Sequence, residues 1–196
     1  VRVVAAEPAP ARVNKVYDEK YFDTWYRRRG MGSAATLRRK VALAVSTAEY
    51  FLGRPLRSVL DVGCGEGAWR QPLLTLRPDL RYQGVDASEY AIRRYGAHRN
   101  LHWLPFGDLA ALAPSSPADL LVCSDVMHYL DDDELQRGLR EFARLCDGVA
   151  FLEVFADGDH VQVEATWGVS QEMITAYRDP DPKTGRARLA QLIDTI

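Results

Sequence analysis

The stretch "VLDVGCGEGAW", residues 59–69, sets three glycines at alternate positions directly behind a short apolar run that carries an aspartate. Without side chains, Gly63, Gly65 and Gly67 let a ligand approach the backbone closely, and a helix opening behind them aims its first N–H groups at the same place. Working outward, "TLRRKVALAVSTAEYFLG" puts Leu37, Val41, Val45, Ala48 and Leu52 on one helical stripe, with Gly53 as the stop. The stretch "YDEKYFDTWYRRR", 17–29, predicts a shorter amphipathic helix ended by Gly30. Downstream the rhythm changes to brief apolar runs at 58–62, 82–86, 101–104, 119–124 and 149–155, each reading as a buried strand. Before the last of them, "DDDELQRGLREFARLCDG" places Leu135, Leu139, Phe142 and Cys146 on one helical face and Arg137, Arg140 and Arg144 elsewhere. Strands alternating with helices predict an α/β fold, a doubly wound and mainly parallel sheet covered on both sides.

Composition narrows the partner. A chain of 196 residues that is 47% hydrophobic supports one domain with a sizeable core. Lysine and arginine number 25 against 27 acids, a net charge of -2, so no global field calls for nucleic acid or an acidic membrane. The expected partner is a small molecule. Cys64, Cys123 and Cys146 are an odd, scattered set with no CxxC pair, which fits a reduced cytoplasm and no zinc site. Residues 1–16, broken by Glu7, Pro8 and Pro10, read as a loose, non-targeting tail, and no run has the length of a membrane helix.

The glycines alone leave two ligand classes open. With Ala68 in its last place and Asp86 about 20 residues on, the segment also satisfies the dinucleotide fingerprint. The acids separate the two. Asp61 before the loop and Glu66 within it would face a pyrophosphate with the wrong sign, at roughly 4 kcal/mol per charge at 4 Å and an effective dielectric near 20. A ligand carrying sulfonium and ammonium groups has the right sign.

Residues 59–69 resemble the first motif of the class I S-adenosylmethionine-dependent methyltransferases, and the later pieces follow in the family's order: "YQGVDAS", "FGDL" and "LLVCSDVMHYL". The resemblance spans residues 17 to about 157 and implies a Rossmann-like sheet, S-adenosylmethionine as cofactor and S-adenosylhomocysteine as product. It assigns cofactor contacts to Asp61, Gly63, Cys64, Gly65, Gly67, Asp86, Ala87, Asp108 and Ser124. Asp61 would orient the loop and approach the amino end of the cofactor, Asp86 would take both ribose hydroxyls, and Asp108 would meet the adenine amino group. Tyr17, Tyr21, Trp25 and Tyr26 would form a lid, or else pack plainly on the sheet, with His128 and Glu153 also facing the acceptor. His128 and Asp125, at the carboxyl end of the fourth strand, are the acid/base candidates. Each has a plainer reading as a structural residue.

Other patterns point away from chemistry. The acids at 131–134 fit a helix cap better than a metal site, since Asp131 stands three residues before Glu134 and an apolar stripe follows. His98 and His102 are separated by the start of a strand, and the basic runs 27–29 and 38–40 read as solvated faces. No metal is expected. "SDVM" at 124–127 lacks the Asn/Asp-Pro-Pro-aromatic tetrapeptide of DNA-methylating relatives, which implies a small-molecule acceptor and a monomer or homodimer. A nicotinamide oxidoreductase is a rival disfavoured by the loop acids and by the lack of a Tyr-x-x-x-Lys pair.

The family's sheet continues into a further helix and an antiparallel hairpin, whereas residues 158–196 resemble an internal piece of bacterial insertion-sequence transposases. That implies a methyltransferase frame interrupted by a mobile element near residues 157–159, and an impaired, cofactor-binding remnant as the alternative function. The alternative reading of the tail is the protein's own divergent substrate region. In the first case "VQVEATW", 161–167, is a candidate substitute strand, with Val161, Val163 and Ala165 alternating with polar residues.

Overall fold

The computed structural model describes residues 17–28 and 33–154. Five strands form one parallel sheet in the order β3-β2-β1-β4-β5: β1 Ser58–Val62, β2 Arg81–Asp86, β3 Leu101–Trp103, β4 Ala118–Ser124 and β5 Cys146–Glu153. From β1 the chain steps outward to β2 and β3, then returns to place β4 on the other side of β1. The β1/β4 seam is therefore the topological switch point, and the loops leaving these two strands open a crevice at their carboxyl ends. β1 and β4 are buried nearly throughout, as central strands covered on both faces must be.

Two apolar layers hold the sheet. On one side α2, Ala34–Leu52, buries Val41, Ala44, Val45 and Ala48. Its ends obey local chemistry: the Ser33 hydroxyl accepts from Thr36 N–H at 3.1 Å, and Gly53 closes the helix with a left-handed φ of 62°. α3, Arg70–Leu76, and α4, Glu89–Arg99, follow β1 and β2. On the other side α5, Asp132–Leu139, and α6, Phe142–Leu145, bury Leu135, Leu139, Phe142 and Leu145 against Leu60, Val62 and Leu121. Asp131 caps α5 by accepting from Glu134 N–H at 2.8 Å, the role expected for that acid run.

The single helix expected over 131–148 is broken in two, and Cys146 belongs to β5 rather than to a helical face. The reason lies in close approaches. Cys146 pairs with Ala118, and the register then shifts before Leu120. There Gly148 passes so near β4 that an added Cβ would lie 2.0 Å from the Asp119 carbonyl oxygen. The N-terminal helix also differs: a turn of α1, Glu19–Phe22, runs into a π-helical turn, Asp23–Arg28. The candidate strand 161–167 lies outside the described residues, as does the tail 158–196.

At the amino end of the sheet, Asp119 ties three segments. Its carboxylate takes both Arg54 guanidinium nitrogens, at 2.9 and 2.7 Å, and Arg57 N–H at 2.7 Å. Asp119→Ala leaves these donors without their acceptor, so a loss of about 2–3 kcal/mol in urea denaturation is expected.

Candidate active site

The glycine loop leaves β1 with Gly63, Gly65 and Gly67 all in the left-handed region, at φ 71°, 53° and 74°. It is stitched to β2, since Gly63 N–H and Cys64 N–H both donate to the Val85 carbonyl at 2.8 and 3.1 Å. Gly63 is also pinned from the β4 side, because a Cβ there would meet the Val126 side chain at 2.3 Å. The loops after β1 and β4 thus touch, and expected cofactor residues and expected acceptor residues meet at one seam.

Asp86 ends β2 and faces the loop. One of its oxygens accepts from Gly65 N–H and the other from Ser88 N–H, each at 2.7 Å. A carboxylate offers about four lone-pair sites, so two remain, one on each oxygen. The plainer role as a neighbour of the α4 start is also real, since Ser88 caps that helix by accepting from Ala91 N–H. Burial raises the Asp86 carboxyl, against the two backbone donors.

Asp61, inside β1, is 2% exposed, and its carboxylate accepts from the Tyr82 hydroxyl at 2.7 Å. Burial pushes it up to about 7; the Tyr82 bond works against this and the Asp86 charge adds to it. No basic side chain among the described residues pairs with Asp61 or Asp86. Because the folded value exceeds the ordinary 3.8, Asp61 binds its proton more tightly in the native state. Stability is therefore lost as pH rises from about 4 through about 7. Against Asp61→Asn, the unliganded wild type should lose on the order of 4 kcal/mol over that interval, read from urea melts at several pH values. A cation bound beside Asp61 should reverse the trend. Burial, Asp61 and Asp86 also raise the Cys64 thiol, which stays neutral and serves as packing in the loop.

Glu66 departs from its expected role. It shares Arg27 of the N-terminal segment, at 2.7 Å, with Asp23, whereas Asp61 and Asp86 have no basic partner among the described residues. The same segment covers the loop. Phe22, 3% exposed, lies where a Gly65 Cβ would meet its ring at 3.3 Å, and it stacks on Tyr90 at 5.7 Å. Ser88 Oγ donates to the Tyr17 carbonyl at 2.7 Å, and the Tyr17 ring packs edgewise on Tyr21 and Tyr129. Of the four expected lid aromatics, Tyr17 and Tyr21 are therefore at the site. The side chains of Trp25 and Tyr26 lie outside the described residues. Phe22 was not anticipated, although it sits within the same aromatic run.

Beyond Asp86, Ala87 is exposed and its carbonyl accepts from the Trp103 indole N–H at 3.1 Å. Trp103 is 53% exposed and offers an aromatic face beside the expected ribose site, which its place in a three-residue strand does not advertise. Asp108 is exposed in a short 3-10 turn, Phe106–Ala111.

At the carboxyl end of β4 and β5, Ser124, Asp125 and Glu153 come together with a residue sequence reasoning assigned elsewhere. Lys40 of α2 is no solvated charge: its side chain is 18% exposed, donates to Glu153 and stands 3.9 Å from Asp125. Ser124 Oγ donates to the same Glu153 oxygen. Asp125 takes the left-handed backbone, φ 61°, with its N–H on the Glu153 carbonyl at 3.0 Å. Its Oδ1 is buried with no hydrogen-bond partner among the described residues, and burial, then the Glu153 charge, raise its carboxyl to about 6 against the pull of Lys40. His128 lies in the next turn, Met127–Tyr129, its ring 4.0 Å from that of Tyr129.

This sheet order, switch-point crevice and glycine loop define the Rossmann-like fold of the class I methyltransferases. Residues 60–148 match a family described as "Methyltransferase domain". Among curated proteins, trans-aconitate 2-methyltransferase of Azoarcus sp. (strain BH72) is 37% identical over 89 residues, 42% of this chain and 35% of that protein. Among solved structures, the plantazolicin methyltransferase BpumL, in complex with a triazolic desmethylPZN analog and SAH, superposes with a TM-score of 0.60 at 14% identity, covering 81% of this chain and 60% of that one. The sugar N-methyltransferase KedS8 of a Streptoalloteichus species gives 0.54 at 23%, covering 81% and 61%. The chain thus spans about a third of that curated relative and about 60% of these solved chains. Among the described residues no helix is long and apolar enough to cross a membrane.

Proposed function

We propose that this chain binds S-adenosylmethionine and moves its methyl group to a small-molecule acceptor, as a monomer or homodimer in the cytoplasm. The carrying observation is the pair of buried acids, Asp61 and Asp86, beside a bare glycine loop and without a basic partner among the described residues. In such a cradle Asp61 repels a pyrophosphate and suits a positively charged group, and Asp86 suits two vicinal hydroxyls. The site residues fit this cofactor. Gly63, Gly65 and Gly67 would admit it against the backbone, with Cys64 packing the loop behind them. Asp61 would face its ammonium end, and the free lone pairs of Asp86 its ribose. Ala87, Trp103 and Asp108 would border the adenine, and Ser124 the methionine end.

When bound, the cofactor supplies a methyl group on a positively charged sulfur. The chain's own task is alignment, dry surroundings and, where the acceptor carries a proton, a place to put it. Phe22, Tyr17 and Tyr21 would exclude water from above the loop, and Asp125 or His128 would take the proton. Residues 17–157 would form this domain, with 158–196 a separate tail of transposase-like origin. Thermal melts test the reading: S-adenosylhomocysteine should raise the Tm at concentrations where NADH leaves it unmoved, and the reverse pattern would favour the nicotinamide rival.

A further inference from the structure

The acceptor side of the seam carries more acid than base. Glu153 is already paired, taking Lys40 and Ser124 on one oxygen. Asp125, one residue from the Val126 contact with the glycine loop, keeps a buried Oδ1 without a hydrogen-bond partner among the described residues. Its backbone stands in the left-handed region with its N–H on the Glu153 carbonyl. Among the described residues the charged groups around it are Lys40 from α2 and Glu153 from β5, which leave one negative charge over when both acids are ionised. An anionic acceptor would be repelled, and an alcohol would need a far stronger base than a carboxylate. An ammonium group answers both the charge and the unfilled hydrogen bond.

Resting on the methyltransferase reading, we propose that the acceptor is an amine carried by a small polar molecule, held as its ammonium on Asp125 and deprotonated there before transfer. The carboxylate of Asp125 takes one N–H proton and the freed lone pair forms the new nitrogen–methyl bond. The methyl–sulfur bond breaks with its electron pair staying on sulfur, and the proton leaves Asp125 for solvent. This separates the chain from its relative named for trans-aconitate, whose named acceptor is an anion.

The experiment uses the full chain loaded with S-adenosylhomocysteine and follows the carbon-13 carboxyl signal of Asp125 during titration with methylammonium, with acetate as the counterpart. Methylammonium should lower the pH midpoint of that signal and acetate should not. Glu153→Gln, which frees Lys40 to neutralise Asp125, should abolish the methylammonium effect. In parallel, methyl transfer from labelled S-adenosylmethionine should be seen with members of a primary-amine panel and not with a carboxylate panel that includes trans-aconitate. Asp125→Asn should lower amine kcat/KM about a hundredfold while S-adenosylhomocysteine binding stays unchanged. Turnover of carboxylates alone, or an Asp125 signal indifferent to methylammonium in a chain that binds S-adenosylhomocysteine, overturns the amine assignment and leaves the cofactor reading standing. Failure to bind S-adenosylhomocysteine strikes the cofactor reading itself.

Discussion

Asp86→Ala is expected to weaken S-adenosylhomocysteine binding by more than about a hundredfold, roughly 3 kcal/mol, while the chain still folds. Two losses add. The free lone pairs that would meet the ribose hydroxyls go, and charge-assisted hydrogen bonds of this kind are worth about 1.5–3 kcal/mol each. Gly65 N–H and Ser88 N–H, both held at 2.7 Å, also lose their acceptor, so the loop is no longer set for the ligand. Asp86→Asn is no mild control here. Whichever way the amide turns, its NH2 faces one of two backbone donors, so it should bind almost as poorly as alanine. Calorimetric titration beside a circular-dichroism melt separates affinity from folding, and an unchanged affinity in either variant removes Asp86 from the ribose role.

Gly63→Ala should cost about 2–4 kcal/mol in stability. The backbone stands at φ 71°, which an alanine adopts only with strain, and the new Cβ would lie 2.3 Å from a Val126 methyl. The two causes can be separated. Val126→Ala in the same chain should recover the steric share and leave the conformational share, so the double variant should fall between wild type and Gly63→Ala in urea denaturation. Equal stability of the single and double variants would mean that the two loops do not press on each other. Because Val126 follows Asp125, Gly63→Ala should also disturb the acceptor side of the crevice.

Patterns that repeat along the chain made most of the fold legible. The α2 stripe, the five apolar runs and the glycine loop each announce themselves within twenty residues, and a parallel sheet follows from their alternation. What escaped depends on contacts between distant segments. The break after Leu139 and the early start of β5 arise from the close pass of Gly148 by Asp119, which no helical periodicity in 131–148 encodes. The site shows the same division. Asp61, Asp86 and the glycines were readable as a motif, as were Ser124 and Asp125 at a strand end. Lys40 was not, because its partner Glu153 lies 113 residues away and its neighbours Arg38 and Arg39 are exposed charges on the same helix. Nor does the motif that contains Glu66 show its contact with Arg27, 39 residues away.

Whether the crevice between β1 and β4 takes a cationic adenosine ligand is measured most directly by calorimetric titration of the full chain with S-adenosylmethionine, S-adenosylhomocysteine and NADH at pH 6 and pH 8. Binding of the first two alone, tightening at pH 8 as Asp61 ionises, is the predicted result. NADH binding alone, or no binding to a chain that melts cooperatively, would contradict it.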